Sequence, residues 1–301
     1  PTINIGDVAY YYRGVDDRIA AFRDGYSTES QTKAGSCEVD VACSEISGWT
    51  DQRDAAVHYV FMVGQGGYVC SGSMVNNTDN DCKAYFLTAN HCGEPTTNAN
   101  ITQHTFYFNY QRPTCSPNTT SVYNGAKSQT VSGGTLKASS ELGNQTAGSN
   151  QEVSGSDFVL IEMNTVPAAY NAYYAGWDLD PSGSASGVGI HHPSGHEKKI
   201  STYSTSLTSM AYNVGWSNSH WRVVWSGTAN GHGVTEGGSS GSPIFNSSGL
   251  IIGHLSGGSS NCTAPSDPDL YGKLIRAWDQ EGGNANQQLK AWLDPSESGV
   301  Y

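Results

Sequence analysis

Ser240 stands in the run Thr235-Glu236-Gly237-Gly238-Ser239-Ser240-Gly241-Ser242-Pro243-Ile244-Phe245, small residues leading into an apolar strand. A serine between glycines on a tight turn exposes its hydroxyl, and the neighbouring backbone N–H groups can converge on one point. Acyl transfer needs both, a nucleophile and donors for an oxyanion. A glycine- and serine-rich loop without chemistry has the same composition, so this stretch alone leaves two readings open. A base is available at His91, which follows the apolar run Ala84-Tyr85-Phe86-Leu87-Thr88-Ala89 and precedes Cys92. A cysteine there can pin the loop to the body, as a positioned base requires; a core or loop histidine is the alternative. Asp157 is a lone acid opening the apolar run Phe158-Val159-Leu160-Ile161. It is either a turn residue or the buried carboxylate that orients an imidazole.

The remaining histidines carry less. His191-His192 with His196-Glu197 offers metal-ligand types, but Pro193-Ser194-Gly195 breaks any helix that would space them as ligands. A loop histidine pair is expected, with no metal and no other cofactor. His58, His104, His220, His232 and His254 have no local signal.

The elements that must position these residues read as strands. The chain of 301 residues holds 36 glycines and 17 tyrosines with many Ser, Thr and Asn, a composition of short strands and many turns. Strands are expected over 58–63, 68–75, 84–89, 105–110, 158–163, 187–191 and 222–225, the first two as a hairpin. A helix is expected over 285–293, ending at Asp294-Pro295. Many short strands and one late helix fit a pair of antiparallel barrels better than a βαβ fold. Residues 1–33 have a separate character, with a strand over 3–14, a helical turn over 16–22 and a polar linker over 27–33.

Charge and cysteines bound the partners. Charged residues make up only 14% and the net charge is -12, so nucleic acid and anionic membrane surfaces are not expected partners. No apolar run reaches the roughly 20 residues of a membrane-spanning helix. Seven cysteines without a Cys-x-x-Cys pair indicate disulfides and an oxidising, secreted setting. A monomer acting on protein or peptide is expected.

The order His91, Asp157, Ser240, each at a strand edge or tight turn, resembles the trypsin-like serine peptidases. Gly238-Ser239-Ser240-Gly241-Ser242-Pro243 is similar to their nucleophile motif, and Leu87-Thr88-Ala89-Asn90-His91-Cys92 to their histidine motif. Further pieces resemble one branch, the bacterial lysyl endopeptidases. They include the segments 35–43, 75–78, 156–158, 175–178, 190–193, 197–201, 233–236, 269–272 and 292–295, spread over nearly all of 34–299. The resemblance implies an all-β, chymotrypsin-like fold of two six-stranded antiparallel barrels with a C-terminal helix, over 34–301. It implies His91 as general base, Asp157 as its orienting carboxylate, Ser240 as nucleophile and the Gly238 and Ser240 N–H groups as oxyanion hole. It also implies the bridges Cys37–Cys262, Cys43–Cys115 and Cys70–Cys92, leaving Cys82 as a free thiol or an intermolecular link.

The same resemblance sets expectations for specificity. In the trypsin arrangement an acid stands six residues before the nucleophile; here that residue is Val234. Asp269 matches the aspartate that lysyl endopeptidases use instead, with Asp267 as rival and Glu236 as a possible contributor. A closed pocket ending in a carboxylate suits a compact ammonium and excludes a guanidinium. Ser256 and Gly257 fall in the substrate groove, where the family carries a histidine in place of Ser256. Tyr212, or Trp216, stands where the family has a tryptophan over the catalytic histidine. Ser239 replaces the aspartate that pairs with a freed N-terminus in mammalian zymogens. Activation is therefore expected through removal of an inhibitory segment, with Lys33-Ala34 as the cleavage point. The function implied is endopeptidase cleavage after lysine. A peptidase of broader Lys and Arg preference, a non-catalytic binding relative and a zinc hydrolase built on His191 and His192 are the competing readings.

Overall fold

The computed structural model describes residues 34–63, 66–92, 101–116, 127–140, 155–212 and 217–299. The expected elements within 1–33 and the Trp216 alternative lie outside the described residues.

Short runs rich in β-branched and aromatic residues build two curled antiparallel sheets. After a two-residue strand β1 (Val39–Asp40) and helix α1 (Thr50–Ala55), the first sheet is laid down. It comprises β2 (Ala56–Val63), β3 (Gly66–Val75), β4 (Tyr85–Ala89), β5 (Thr105–Tyr107), β6 (Thr130–Ser132), β7 (Gly134–Ser139) and β8 (Phe158–Met163). Their order is β6-β5-β2-β3-β4-β8-β7. The second sheet uses β9 (Gly187–His191), β10 (Lys199–Tyr203), β11 (Thr208–Met210), β12 (His220–Val223), β13 (Pro243–Asn246), β14 (Ile251–Gly258) and β15 (Asp269–Lys273). With β1 they run β1-β10-β9-β13-β14-β15-β12-β11. The all-β, two-sheet architecture is the expected one. The sheets carry seven and eight strands rather than six, because short edge strands such as β1, β6 and β11 extend them.

Two registers matter for the site. β4 pairs with β8 so that Ala89 faces Phe158. The residues just after β4, Asn90 and His91, therefore meet the residue just before β8, Asp157. β13 pairs with both β9 and β14, which sets the turn before Pro243 against the end of β9 on one side and Leu255 on the other. Between the sheets lies an apolar layer of Leu87, Phe158 and Leu160 from the first and Val188, Ile190, Phe245 and Ile251 from the second. Burial of each such side chain contributes about 1.5–3 kcal/mol, and truncating one leaves a cavity that its neighbours fill only in part.

The C-terminal region differs from the expected single helix. A 3₁₀ turn at Ala285–Gln287 is followed by α3 (Lys290–Leu293), and an earlier helix, α2 (Leu274–Asp279), had no clear signal. Asn284 and Gln287 close a capping box on the 3₁₀ turn, and extended Gln288 interrupts the helix. Leu289 then donates its N–H to Ala277 O at 2.9 Å, docking the segment on α2.

Burial of histidine gives a testable consequence. His58, His191 and His220 are held at about 3 by burial, and His104 at about 4. Above pH 6.5 these imidazoles are neutral folded or unfolded. Below it the unfolded chain takes up protons that the folded one refuses, so stability falls as pH drops from 6.5 toward 3. Each group near 3 costs about 2 kcal/mol by pH 5. Guanidinium titrations between pH 4 and 8 are expected to show the unfolding midpoint dropping steadily below pH 6.5. A midpoint that stays level down to pH 4.5 contradicts neutral burial.

Candidate active site

The strand register delivers His91 and Asp157 as a pair. Asp157 sits in the left-handed region at φ 63, a conformation that an aspartate tolerates better than most residues. Its Oδ1 accepts the His91 backbone N–H at 3.0 Å, and its Oδ2 accepts Nδ1–H at 2.7 Å. This fixes the tautomer. The proton is on Nδ1, so Nε2 carries the lone pair and can take a proton from a neighbour. Asp157 is fully buried, whereas the His91 side chain keeps 26% exposure at the cleft. Burial disfavours the imidazolium, but the Asp157 charge and hydrogen bond outweigh it, and His91 lies above its ordinary value. Burial likewise opposes the Asp157 carboxylate, and His91 more than restores it. The Cys70–Cys92 bridge ties the residue after His91 to β3 across a separation of 22 residues. Closing a loop of that size contributes about 3 kcal/mol.

The turn that carries Ser240 belongs to the second sheet and packs on the end of β4, just before His91. The Ser240 carbonyl accepts the Ser71 N–H at 2.8 Å, and Gly241 packs so closely on the strand end that an added Cβ would stand 2.7 Å from Ala89 N. Gly238 has φ +91, and a Cβ there would meet Gly195 N at 2.8 Å and His192 O at 2.9 Å. Only glycine fits that corner. Within the turn, Ser239 N–H goes to Glu236 O, Gly241 N–H to Leu255 O and Ser242 N–H to Ser239 O. Among the described residues no backbone acceptor takes the N–H groups of Gly238 and Ser240. The Gly237 N–H is likewise without a backbone acceptor among these residues.

Two buried side chains hold the turn, and neither carried a local signal for this role. The Ser71 hydroxyl donates to Gly238 O at 2.9 Å and accepts the His192 N–H at 2.9 Å. His191 donates Nε2–H to Ser201 Oγ, whose own proton goes to Val234 O, and accepts the Ser239 hydroxyl on Nδ1 at 2.8 Å. Ser239 Oγ also accepts the Glu236 N–H. His192 donates Nδ1–H to His196 O. The histidine pair read as a bland loop feature is thus a support of the Ser240 turn. Among the described residues no group of three or more ligand-type side chains could hold a metal.

β14 continues beside the turn, paired with β13 and β15. Leu255 pairs with the turn, Ser256 and Gly257 follow, and Gly258 is in register with Asp269 on β15. An added Cβ on Gly258 would stand 1.9 Å from Asp269 Oδ1, so the carboxylate lies directly on this wall. Asp269 is buried, whereas Asp267 is exposed. Its Oδ2 accepts Trp225 Nε1–H at 2.6 Å, Thr235 Oγ–H at 2.8 Å and Ser260 Oγ–H at 2.6 Å; its Oδ1 accepts Ser260 N–H at 3.1 Å. All four donors are neutral. Burial raises the carboxyl above its ordinary range, and those hydrogen bonds pull against it. Val234, buried, brings no charge to the floor. The Glu236 carboxylate is occupied by Gly35 N–H and the Ser194 hydroxyl. Tyr212 places its hydroxyl oxygen over Gly257, and its ring lies 5.2 Å from His220, which in turn meets Ser256 Oγ at 2.9 Å. The sequence showed no role for His220; only the fold brings it to this wall.

The bridges Cys37–Cys262, Cys43–Cys115 and Cys70–Cys92 are all present, and Cys82 is free and exposed. No helix among the described residues is long and apolar enough to cross a membrane.

Comparison with known proteins agrees with this geometry. The crystal structure of protease Anisep from Arthrobacter nicotinovorans matches with a TM-score of 0.50 and 21% identity, over 73% of this chain and 90% of that one. That likeness is one of fold. A lysyl endopeptidase of Pseudomonas aeruginosa is 31% identical over 256 residues, which cover 82% of this chain and 49% of that protein. The chain thus spans about half the length of this relative. The family model for the lysyl endopeptidase C-terminal domain matches residues 31–272. With a match over most of its length, the chain belongs to the lysyl endopeptidase family.

Proposed function

We propose that this protein is a secreted serine endopeptidase that hydrolyses peptide bonds on the C-terminal side of lysine through an acyl-enzyme. In this reading His91 Nε2 takes the Ser240 hydroxyl proton as Ser240 Oγ attacks the scissile carbonyl. The Gly238 and Ser240 N–H groups receive the oxyanion, Asp157 stabilises the imidazolium, and His91 returns the proton to the leaving amine. Water then repeats the sequence on the acyl-enzyme. The substrates are proteins or peptides; three disulfides and the family relationship support an extracellular setting. Residues 34–301 form the peptidase domain and 1–33 a segment removed at Lys33-Ala34. The family model, whose match begins at residue 31, supports a boundary near that point.

One observation carries the choice of lysine. Asp269 is a buried carboxylate whose four donors are all neutral, set on the wall beside Gly258. Its charge has no cationic counterpart among those donors, so an incoming ammonium offsets the cost of burial. Ser256 and Gly257 line the groove, and Tyr212 closes its far side.

Digestion of a denatured protein, with the new C-termini read by mass spectrometry, tests the specificity. Nearly all ends are expected to be lysine, and mixed lysine and arginine ends defeat the narrow reading. Asp269→Asn is expected to lower kcat/KM for lysine substrates on the order of a hundredfold to a thousandfold, because an ammonium then meets a buried amide. An equal loss in Asp267→Asn, with Asp269→Asn near wild type, moves the assignment to Asp267.

A further inference from the structure

The turn that presents Asp157 is gripped from the other side of the molecule. Gly155 and Asp157 both hold positive φ, 58 and 63, with Ser156 between them fully buried. Left-handed residues on both sides of a buried one persist only when their surroundings hold them. Part of that hold comes from the same barrel: Asp157 O accepts the Asn90 N–H at 2.6 Å, and Ser140 Oγ accepts the Phe158 N–H at 2.9 Å. The rest comes from residues far along the chain. His254 on β14 donates Nε2–H to Ser156 O at 2.7 Å. Glu281, just beyond α2, accepts the Ser156 N–H on Oε1 at 2.5 Å across 125 residues. Its Oε2 lies against Gly155, where an added Cβ would stand only 2.3 Å away. The carboxylate thus fills the space that the missing side chain leaves. Glu281 is itself buried, 6% exposed.

We infer that Glu281 is a positioning residue for the His91–Asp157 pair: by holding the Gly155-Ser156 peptide it keeps the Asp157 carboxylate in line with His91 Nδ1. A buried carboxylate on a backbone N–H is a charge-assisted contact, stronger than a neutral one. Burial raises the Glu281 carboxyl, while Ser140 and Ser156 lower it by hydrogen bonding. No local sequence signal marks the residue; only the fold brings Asp279-Gln280-Glu281 to the turn. The inference rests on the peptidase reading above for its kinetic consequence but not for its structural one.

The test uses the processed protein and two readouts, the pH profile of kcat and KM on a lysine amide, and the low-field NMR signal of the His91 Nδ1 proton. Glu281→Ala is expected to lower kcat about ten- to a hundredfold with KM held within about twofold, since a displacement of the order of 1 Å is that costly. The acid limb should move to lower pH, because a displaced Asp157 supports the imidazolium less, and the low-field signal should weaken or vanish. Glu281→Gln keeps an oxygen for the Ser156 N–H and is expected to recover kcat to within about threefold of wild type. Wild-type kcat, acid limb and proton signal in Glu281→Ala overturn the inference. If that variant does not fold, Glu281→Asp takes its place, since its shorter arm withdraws the acceptor. Loss of kcat and of the signal supports the proposal, and wild-type values reject it. An inactive wild-type protein refutes the peptidase reading alone, while the proton signal still reports whether Glu281 holds the pair.

Discussion

Ser240→Ala is expected to lower kcat by about six orders of magnitude while leaving KM close to wild type, the scale on which loss of the nucleophile or base acts in this mechanism. The turn should survive the change. Its shape depends on the Gly238 corner, on Ser71 N–H donated to Ser240 O, and on the His191–Ser239 hydrogen bond. None of these uses the Ser240 hydroxyl, so the variant is expected to bind substrate as the wild type does. Covalent labelling by a serine-directed phosphonate should disappear in the same variant. Retained labelling, or a loss below about a thousandfold, removes Ser240 from the mechanism.

Asp157→Asn should reduce kcat by about four orders of magnitude, and the geometry gives the reason. The carboxylate accepts two donors from one residue, the His91 N–H on Oδ1 and Nδ1–H on Oδ2. In the variant the amide oxygen must take the backbone N–H, which has no other orientation available. The amide NH₂ then faces Nδ1, drives the ring proton to Nε2 and removes the lone pair that accepts the serine proton. The pH profile distinguishes this from simple misfolding. In wild type the acid limb of kcat/KM should lie above 6.5, because Asp157 raises His91. In the variant it should fall below 6.5, since burial is the influence that remains. A variant with less than a hundredfold loss, or an unmoved limb, refutes this assignment of the base.

The local parts of the site are legible in the sequence because each sits where a strand ends. Apolar Ala84–Ala89 and Phe158–Ile161 announce two strands, and polar residues at their ends have to lie at a rim. The antiparallel register then needs no further information to bring His91 to Asp157. Asp269 over Asp267 rests on the family resemblance instead; the strand that sets Asp269 opposite Gly258 is not among those expected. The supports are not legible. Ser71, His191, His254 and Glu281 act on partners 98 to 167 residues away or, for His191, across a strand pair 48 residues apart. Nothing in their neighbours along the chain marks them, and His191 even suggests a metal site that the fold turns to another use. The C-terminal helix ends at Leu293 as expected, but its break is not legible for a similar reason: Gln288 looks like any helical residue until Leu289 docks on Ala277. Residues that act through a contact formed late along the chain leave no periodic or compositional trace.

The hydrogen bond between Ser239 and His191 has one more consequence. Burial keeps the ring at about 3, so both partners are neutral throughout the range in which the protein would work. A turn clamped by an ion pair with a freed chain end is weakened by dissolved salt, and its grip waits on the cut. This clamp has no charge for counter-ions to screen. Both of its members are also built into the middle of the domain. Its hold on the Ser240 turn should therefore be the same in brine as in dilute buffer, and the same before and after any cut at the front of the chain.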